Sequence, residues 1–339
     1  MRSFRNLLFP VLLVLFSQAL AAQLRQIAMV DIPGRPGFDS VAFAGNYLVI
    51  AHRAANAVDI FDPRLRRLKA QITGVADPRG IAVDNAAGRV YIASAGSNSL
   101  VVLSTTDWKP IDTIRLKHSP DALLLAAGKL YIGNWLENSV TVLDLERRDE
   151  LTTLDVGGRP QDMLWDPGTN LIFTSLEQLG QVIGINPGQQ IAKRYQLRAS
   201  QPTGLALDTK GRRLFVAVRY AVLVLDADSG AELARIPATG GITTLWFDAG
   251  QQALYAAATN GSVNLIATAG DRFLSQHELQ TQVHGHSFAY DPAKKTVYLT
   301  GGREGRSKLV ILKTVDTQVA AGPASGVTSP KAQVTAEKK

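Results

Sequence analysis

Apolar and polar positions along this chain follow one pattern that recurs seven times. Its clearest copy reads Pro78-Arg79-Gly80-Ile81-Ala82-Val83-Asp84, then Gly88-Arg89-Val90-Tyr91-Ile92-Ala93, then Asn98-Ser99-Leu100-Val101-Val102-Leu103. Pro202-Thr203-Gly204-Leu205-Ala206-Leu207-Asp208 repeats it, followed by Leu214-Phe215-Val216-Ala217 and Val222-Leu223-Val224-Leu225-Asp226. The other copies start near Phe38, Pro120, Pro160, Ile242 and Gly285, so successive starts lie 40, 42, 40, 42, 40 and 43 residues apart. Within each copy, three short runs rich in β-branched and aromatic residues are separated by turn residues, the signature of strands. A fourth, more polar run precedes the next copy, as in Ile111 to Leu116 and Leu151 to Val156.

Four strands in 40-odd residues is the period of a propeller blade. The pattern therefore predicts an all-β fold, a seven-bladed β-propeller of four-stranded blades. The innermost run is almost wholly apolar, which predicts cover on both faces by the neighbouring blades, and the outermost run alternates because one edge meets solvent. Leu24 to Ile32 matches a fourth run, and the last copy stops at its third, Leu309 to Leu312. The N-terminal strand is thus expected to complete the seventh blade and close the ring, which removes the open sheet edges.

The ends of the chain read differently. Arg2 and Arg5 precede the apolar run Leu7 to Phe16, and Ala19-Leu20-Ala21 puts small residues at −3 and −1, as in a secretory leader cleaved after Ala21. No second apolar run follows, so no membrane insertion is expected after cleavage. The expected organisation is a leader over 1–21, a propeller over 22–314 and a disordered tail over 315–339, with the mature protein periplasmic or secreted. There are no cysteines, which excludes disulfides, haem attachment and thiolate metal sites. The net charge is +7 and the pI about 9.6. Five of the basic residues, Arg2, Arg5, Lys331, Lys338 and Lys339, lie in the leader or tail. The body is therefore only mildly basic, the charge of an ordinary soluble surface.

Val90-Tyr91-Ile92-Ala93, Leu130-Tyr131-Ile132-Gly133 and Val297-Tyr298-Leu299-Thr300 resemble the motif of the YVTN-type β-propeller repeat, and the resemblance covers essentially the whole mature chain. It implies the fold. It does not imply one function, since such propellers include cell-surface proteins, periplasmic proteins and enzymes.

In a propeller the start of the inner strand and the end of the second strand face the same mouth of the central channel, where a pocket is the default site. Aligning the copies puts Asp39, Arg79, Asp121, Gln161, Thr203, Thr243 and His286 at the first of these positions. The second holds His52, Ser94, Asn134, Ser175, Val218, Ala258 and Gly301, and the residue after it is Arg53, Ala95, Trp135, Leu176, Arg219, Thr259 or Gly302. The framework repeats, but these positions do not. The candidate ligand-binding set is accordingly Asp39, His52, Arg53, Arg79, Asp121, Asn134, Trp135, Gln161, Arg219 and His286. Each has a structural reading as well. Asp39 and Asp121 suit turn caps or partners of Arg79. His52 suits a hydrogen bond to the next blade, Trp135 a lid, and Arg53 and Arg219 a solvated face.

His284-Gly285-His286 places two imidazoles on one side of an extended strand, yet no third metal ligand is fixed by spacing. His286 also suits acid–base chemistry. Calcium-dependent lactonase propellers have a similar architecture, but their metal takes a Glu from the first inner strand and an Asn later, where this chain has Asp39 and Thr203. A streptogramin-type lyase would want a Glu close before His286, and none is present. Few aromatic residues line the mouth, so no large planar cofactor is expected, and no cofactor is assigned. Arg53, Arg79, Trp135, Arg219 and Tyr220 make a thin version of the basic and aromatic mixture that binds single strands. The expectation is a non-catalytic binding or scaffold module for a protein partner or small ligand. A hydrolase or lyase using His286 and the mouth carboxylates is the alternative, and nucleic-acid binding comes third.

Overall fold

The computed structural model describes residues 21–317, apart from 239 and 270–272. Seven four-stranded antiparallel sheets stand around a central channel as the blades of a propeller. Blade 2 shows the plan, its strands running Pro78–Asp84, Arg89–Ser94, Ser99–Ser104 and Pro110–Arg115 from the channel outward. The predicted closure holds. The N-terminal strand Ala21–Ile32 is the outermost strand of blade 7, antiparallel to Arg306–Thr317, with Ala21 opposite Thr317 and Ile32 opposite Ser307. That last strand runs through Thr317, past the expected domain end at 314. The predicted leader lies outside the described residues except for Ala21, and so does the predicted tail beyond Thr317. Among the described residues no helix is long and apolar enough to cross a membrane.

A blade buries both of its faces against its neighbours, which is why its middle strands carry apolar residues without alternation. Leu48 to Ala51 in the second strand of blade 1 are all 0% exposed. Apolar clusters fill the gaps between adjacent blades. Between blades 7 and 1, for example, Leu48, Ile50 and Phe61 meet Tyr298, Leu309 and Ile311. The outer strands alternate as expected, strictly so in Asp149–Asp155. The expectation that neighbouring blades cover both faces of the inner strand is corrected. Val41–Ala44 and Leu123–Ala126 are each buried only at their last residue, because the inner strand borders the open channel. The best enclosed strands are the second and the third, as Tyr47–His52 and Ala57–Asp62 show.

Two glycines set how closely blades approach at the channel mouth. A Cβ on Gly80 would stand 2.3 Å from the backbone oxygen of Asp121, to which Gly80 donates a 2.8 Å hydrogen bond. Gly204 is in the same position against Thr243, at 2.4 Å. Only hydrogen fits at these contacts.

Candidate functional site

The channel encloses a cavity of about 1390 Å³. All seven residues that start the inner strands line it: Asp39, Arg79, Asp121, Gln161, Thr203, Thr243 and His286. Arg53 and Trp135 join them from the turns after the second strands. The structure therefore gathers seven of the ten candidate side chains, Asp39, Arg53, Arg79, Asp121, Trp135, Gln161 and His286.

The other three lie elsewhere. His52 is fully buried between blades 1 and 7. Its Nδ1 is 2.7 Å from Asp59 Oδ2, its Nε2 is 2.7 Å from the Arg35 carbonyl, and its ring stacks on Phe38. Asn134 is buried inside blade 3, donating to Ser139 and Thr141. Both occupy the final residue of a second strand, whose side chain turns into the blade interface rather than the channel. Arg219 lies outside the channel lining, its guanidinium 5.5 Å from the Tyr220 ring.

Charge at the mouth is ordered as a chain. Arg79 sits between Asp77 (Nη2 to Oδ2, 2.9 Å) and Asp121 (Nη1 to Oδ2, 3.1 Å). Arg53 donates to the other oxygen of Asp77 at 2.9 Å and reaches only within 3.9 Å of Asp39. Burial resists ionisation of Asp77, but hydrogen bonds from Arg79 and Arg53 outweigh it and hold this carboxyl below the usual range. Asp39 has no such support. The channel wall surrounds it while leaving 27% of its side chain open, and burial, together with the charge of Asp121, pushes its pKa up to about 6. Burial likewise raises Asp121 against the pull of Arg79. Burial lowers His286, so the imidazole facing the channel favours its neutral form.

Three participants are absent from the sequence-based set. Asp77 lies in the loop before the inner strand, outside the aligned columns. Asp162 follows Gln161 and is pushed up to about 6 by burial, although it accepts the N–H groups of Leu205 and Met163 at 2.9 Å each. Glu177 accepts from Gln161 Nε2 at 2.8 Å and lines the cavity. It was hidden by a slip of one residue in blade 4. Leu176, not Ser175, pairs with Pro160 as Ser94 pairs with Pro78, so Glu177 is the residue after the strand. Phe173 at the place of Tyr91 is the signal that fixes this register. Ser175 is instead fully buried and donates to the Thr203 carbonyl.

Five carboxyl groups (Asp39, Asp77, Asp121, Asp162, Glu177) thus stand at or beside the mouth against the guanidiniums of Arg53 and Arg79. Arg159, stacked 4.0 Å over the Trp135 ring, adds a third. The mouth is locally acidic in a chain of net charge +7. Thr243 Oγ1 is buried there with no hydrogen-bond partner. His284 and His286 both line a second hollow of about 400 Å³, rich in glycine, that adjoins the channel. Among the described residues no three His, Asp or Glu side chains are grouped to hold a metal ion.

No family model matches the chain, and no curated protein matches it. Among solved structures it is similar to the Kuenenia stuttgartiensis hydrazine synthase, with a TM-score of 0.71 at 15% identity over 86% of this chain and 97% of that one. At this identity the likeness is one of fold.

Proposed function

We propose that this chain is an exported, non-catalytic binding module of the YVTN type. Its channel mouth takes a cationic group, either a small amine or a basic side chain offered by a protein partner. The observation that carries this reading is Asp39. Its carboxylate is open to the cavity, accepts no hydrogen bond among the described residues and feels the charge of Asp121, while Asp162 and Glu177 line the same cavity from blade 4. An ammonium ion entering there would supply a closer charge partner than Arg53, which stands 3.9 Å away, and burial strengthens such a pair. Arg79 and Arg53 are already neutralised, which leaves them little to offer a phosphate backbone and removes the main support for nucleic-acid binding. The test is calorimetric titration with diamines and polyamines, compared with dicarboxylates of equal length. Amines are expected to bind, with Asp39→Asn weakening them at least tenfold. Tighter binding of dicarboxylates, or an unchanged affinity in Asp39→Asn, would overturn the assignment.

One observation favours a hydrolase or lyase as a second reading. His286 stays neutral and faces the channel, as a general base requires. Turnover of lactones or esters that disappears in His286→Ala is the result that would establish it.

A further inference from the structure

A second feature of the same face adjoins the channel mouth, with which it shares Glu177. Two hollows, of about 480 and about 350 Å³, meet at Ala199 and Ser200, which line both. Together they form a groove across blades 4 and 5. Arg159 and Leu179 stand in the first hollow, Arg219 and Tyr220 in the second. Leu179 is 39% exposed and Tyr220 65%, large apolar surfaces of the kind that mark contact sites on a soluble protein. Among the described residues neither Arg159 nor Arg219 meets a carboxylate. Their guanidiniums lie over the Trp135 and Tyr220 rings instead. Gln196 closes the floor by donating to the carbonyls of Leu179 and Gly180.

We propose that this groove docks an extended acidic segment of a partner protein, with apolar side chains in the two hollows and carboxylates on Arg159 and Arg219. The saddle at Ala199–Ser200 is small enough for a main chain to cross, and each hollow then receives a side chain. Among the described residues the two arginines form no ion pair, although Glu177 lines the first hollow with Arg159, and both stand beside apolar surface, which an acidic and apolar strand complements. A single-stranded nucleic acid fits less well. Its bases need open aromatic faces, and a guanidinium already lies over the Trp135 ring at 4.0 Å.

The proposal is tested by fluorescence anisotropy on the full chain. The probes are a labelled peptide of about ten residues alternating glutamate, leucine and serine, its lysine counterpart, and an oligothymidylate of equal length. The acidic peptide is expected to bind saturably and to weaken as salt rises. Arg159→Glu combined with Arg219→Glu should cost at least tenfold, and Tyr220→Ala at least threefold. Melting curves will show whether these substitutions leave the fold intact. Asp39→Asn should leave peptide binding unchanged, which separates this groove from the amine site. The assignment fails if the wild-type chain shows no saturable binding or binds the lysine peptide equally. It also fails if oligothymidylate binds more tightly, or if the double variant retains its affinity.

Discussion

At the scale of single residues, the informative groups are those the fold holds against their preference. Asp39 and Asp162 each have a pKa of about 6 in the fold, against 3.8 for an unperturbed carboxyl. A carboxyl that binds its proton more readily folded than unfolded adds stability as pH falls from about 7 toward 4, and withdraws it as pH rises. Ionised at pH 7, each costs the fold on the order of 1–3 kcal/mol. Asp39→Asn is therefore expected to raise the melting temperature at pH 7.5 by roughly 2–4 °C, with a smaller gain at pH 5. Calorimetry at the two pH values checks this, and a lower melting temperature at pH 7.5 would contradict it. His52 shows the opposite case. Each of its ring nitrogens is held by a partner at 2.7 Å, Nδ1 by Asp59 and Nε2 by the Arg35 carbonyl. His52→Leu leaves Asp59 with Gln71 as its remaining partner, and should destabilise by about 3–5 kcal/mol. Replacing Asp59 with Leu as well should recover part of that loss in a denaturant titration. The sequence placed His52 at the mouth because it ends a second strand. Its partner, on the third strand, and the returning Arg35 carbonyl were not visible in the repeat.

At the scale of strands, the repeat was legible because the same packing is demanded seven times. The second strand must be apolar on both faces wherever two blades meet. The mouth was legible as a set of columns, and seven of the ten candidate side chains line the cavity. Its errors have physical causes. The alignment of blade 4 by one residue hid Glu177, and the loop residue Asp77 belongs to no column. Close approach of blades is an element-scale property that a sequence marks only with glycine. Gly80→Ala would drive a Cβ into the backbone of Asp121 and force blades 2 and 3 apart. The expected loss is about 1–3 kcal/mol, with faster amide exchange in the inner strands of those two blades. Retention of wild-type stability would mean that the blades can separate without cost.

At the scale of the molecule, the ring of seven sheets is closed by a single seam. Leu24 and Ile32, at 3% and 4% exposed, are core residues contributed by the N-terminal strand. A chain beginning at residue 33 leaves blade 7 with three strands and the Arg306–Thr317 edge unpaired. Such a chain is expected to melt well below the intact one and to self-associate, as size-exclusion chromatography and hydrogen exchange over blade 7 would show. An intact, monomeric ring would refute the view that the seam is essential. The same seam imposes an order in time. Ala21 pairs with a residue 296 positions later, Thr317. At typical synthesis rates that partner emerges about 15 to 60 seconds afterwards. Throughout that interval the first strand made is the last to be satisfied. Its exposed charges, Arg25 and Asp31, are of the kind that disfavour pairing of a waiting strand with another chain.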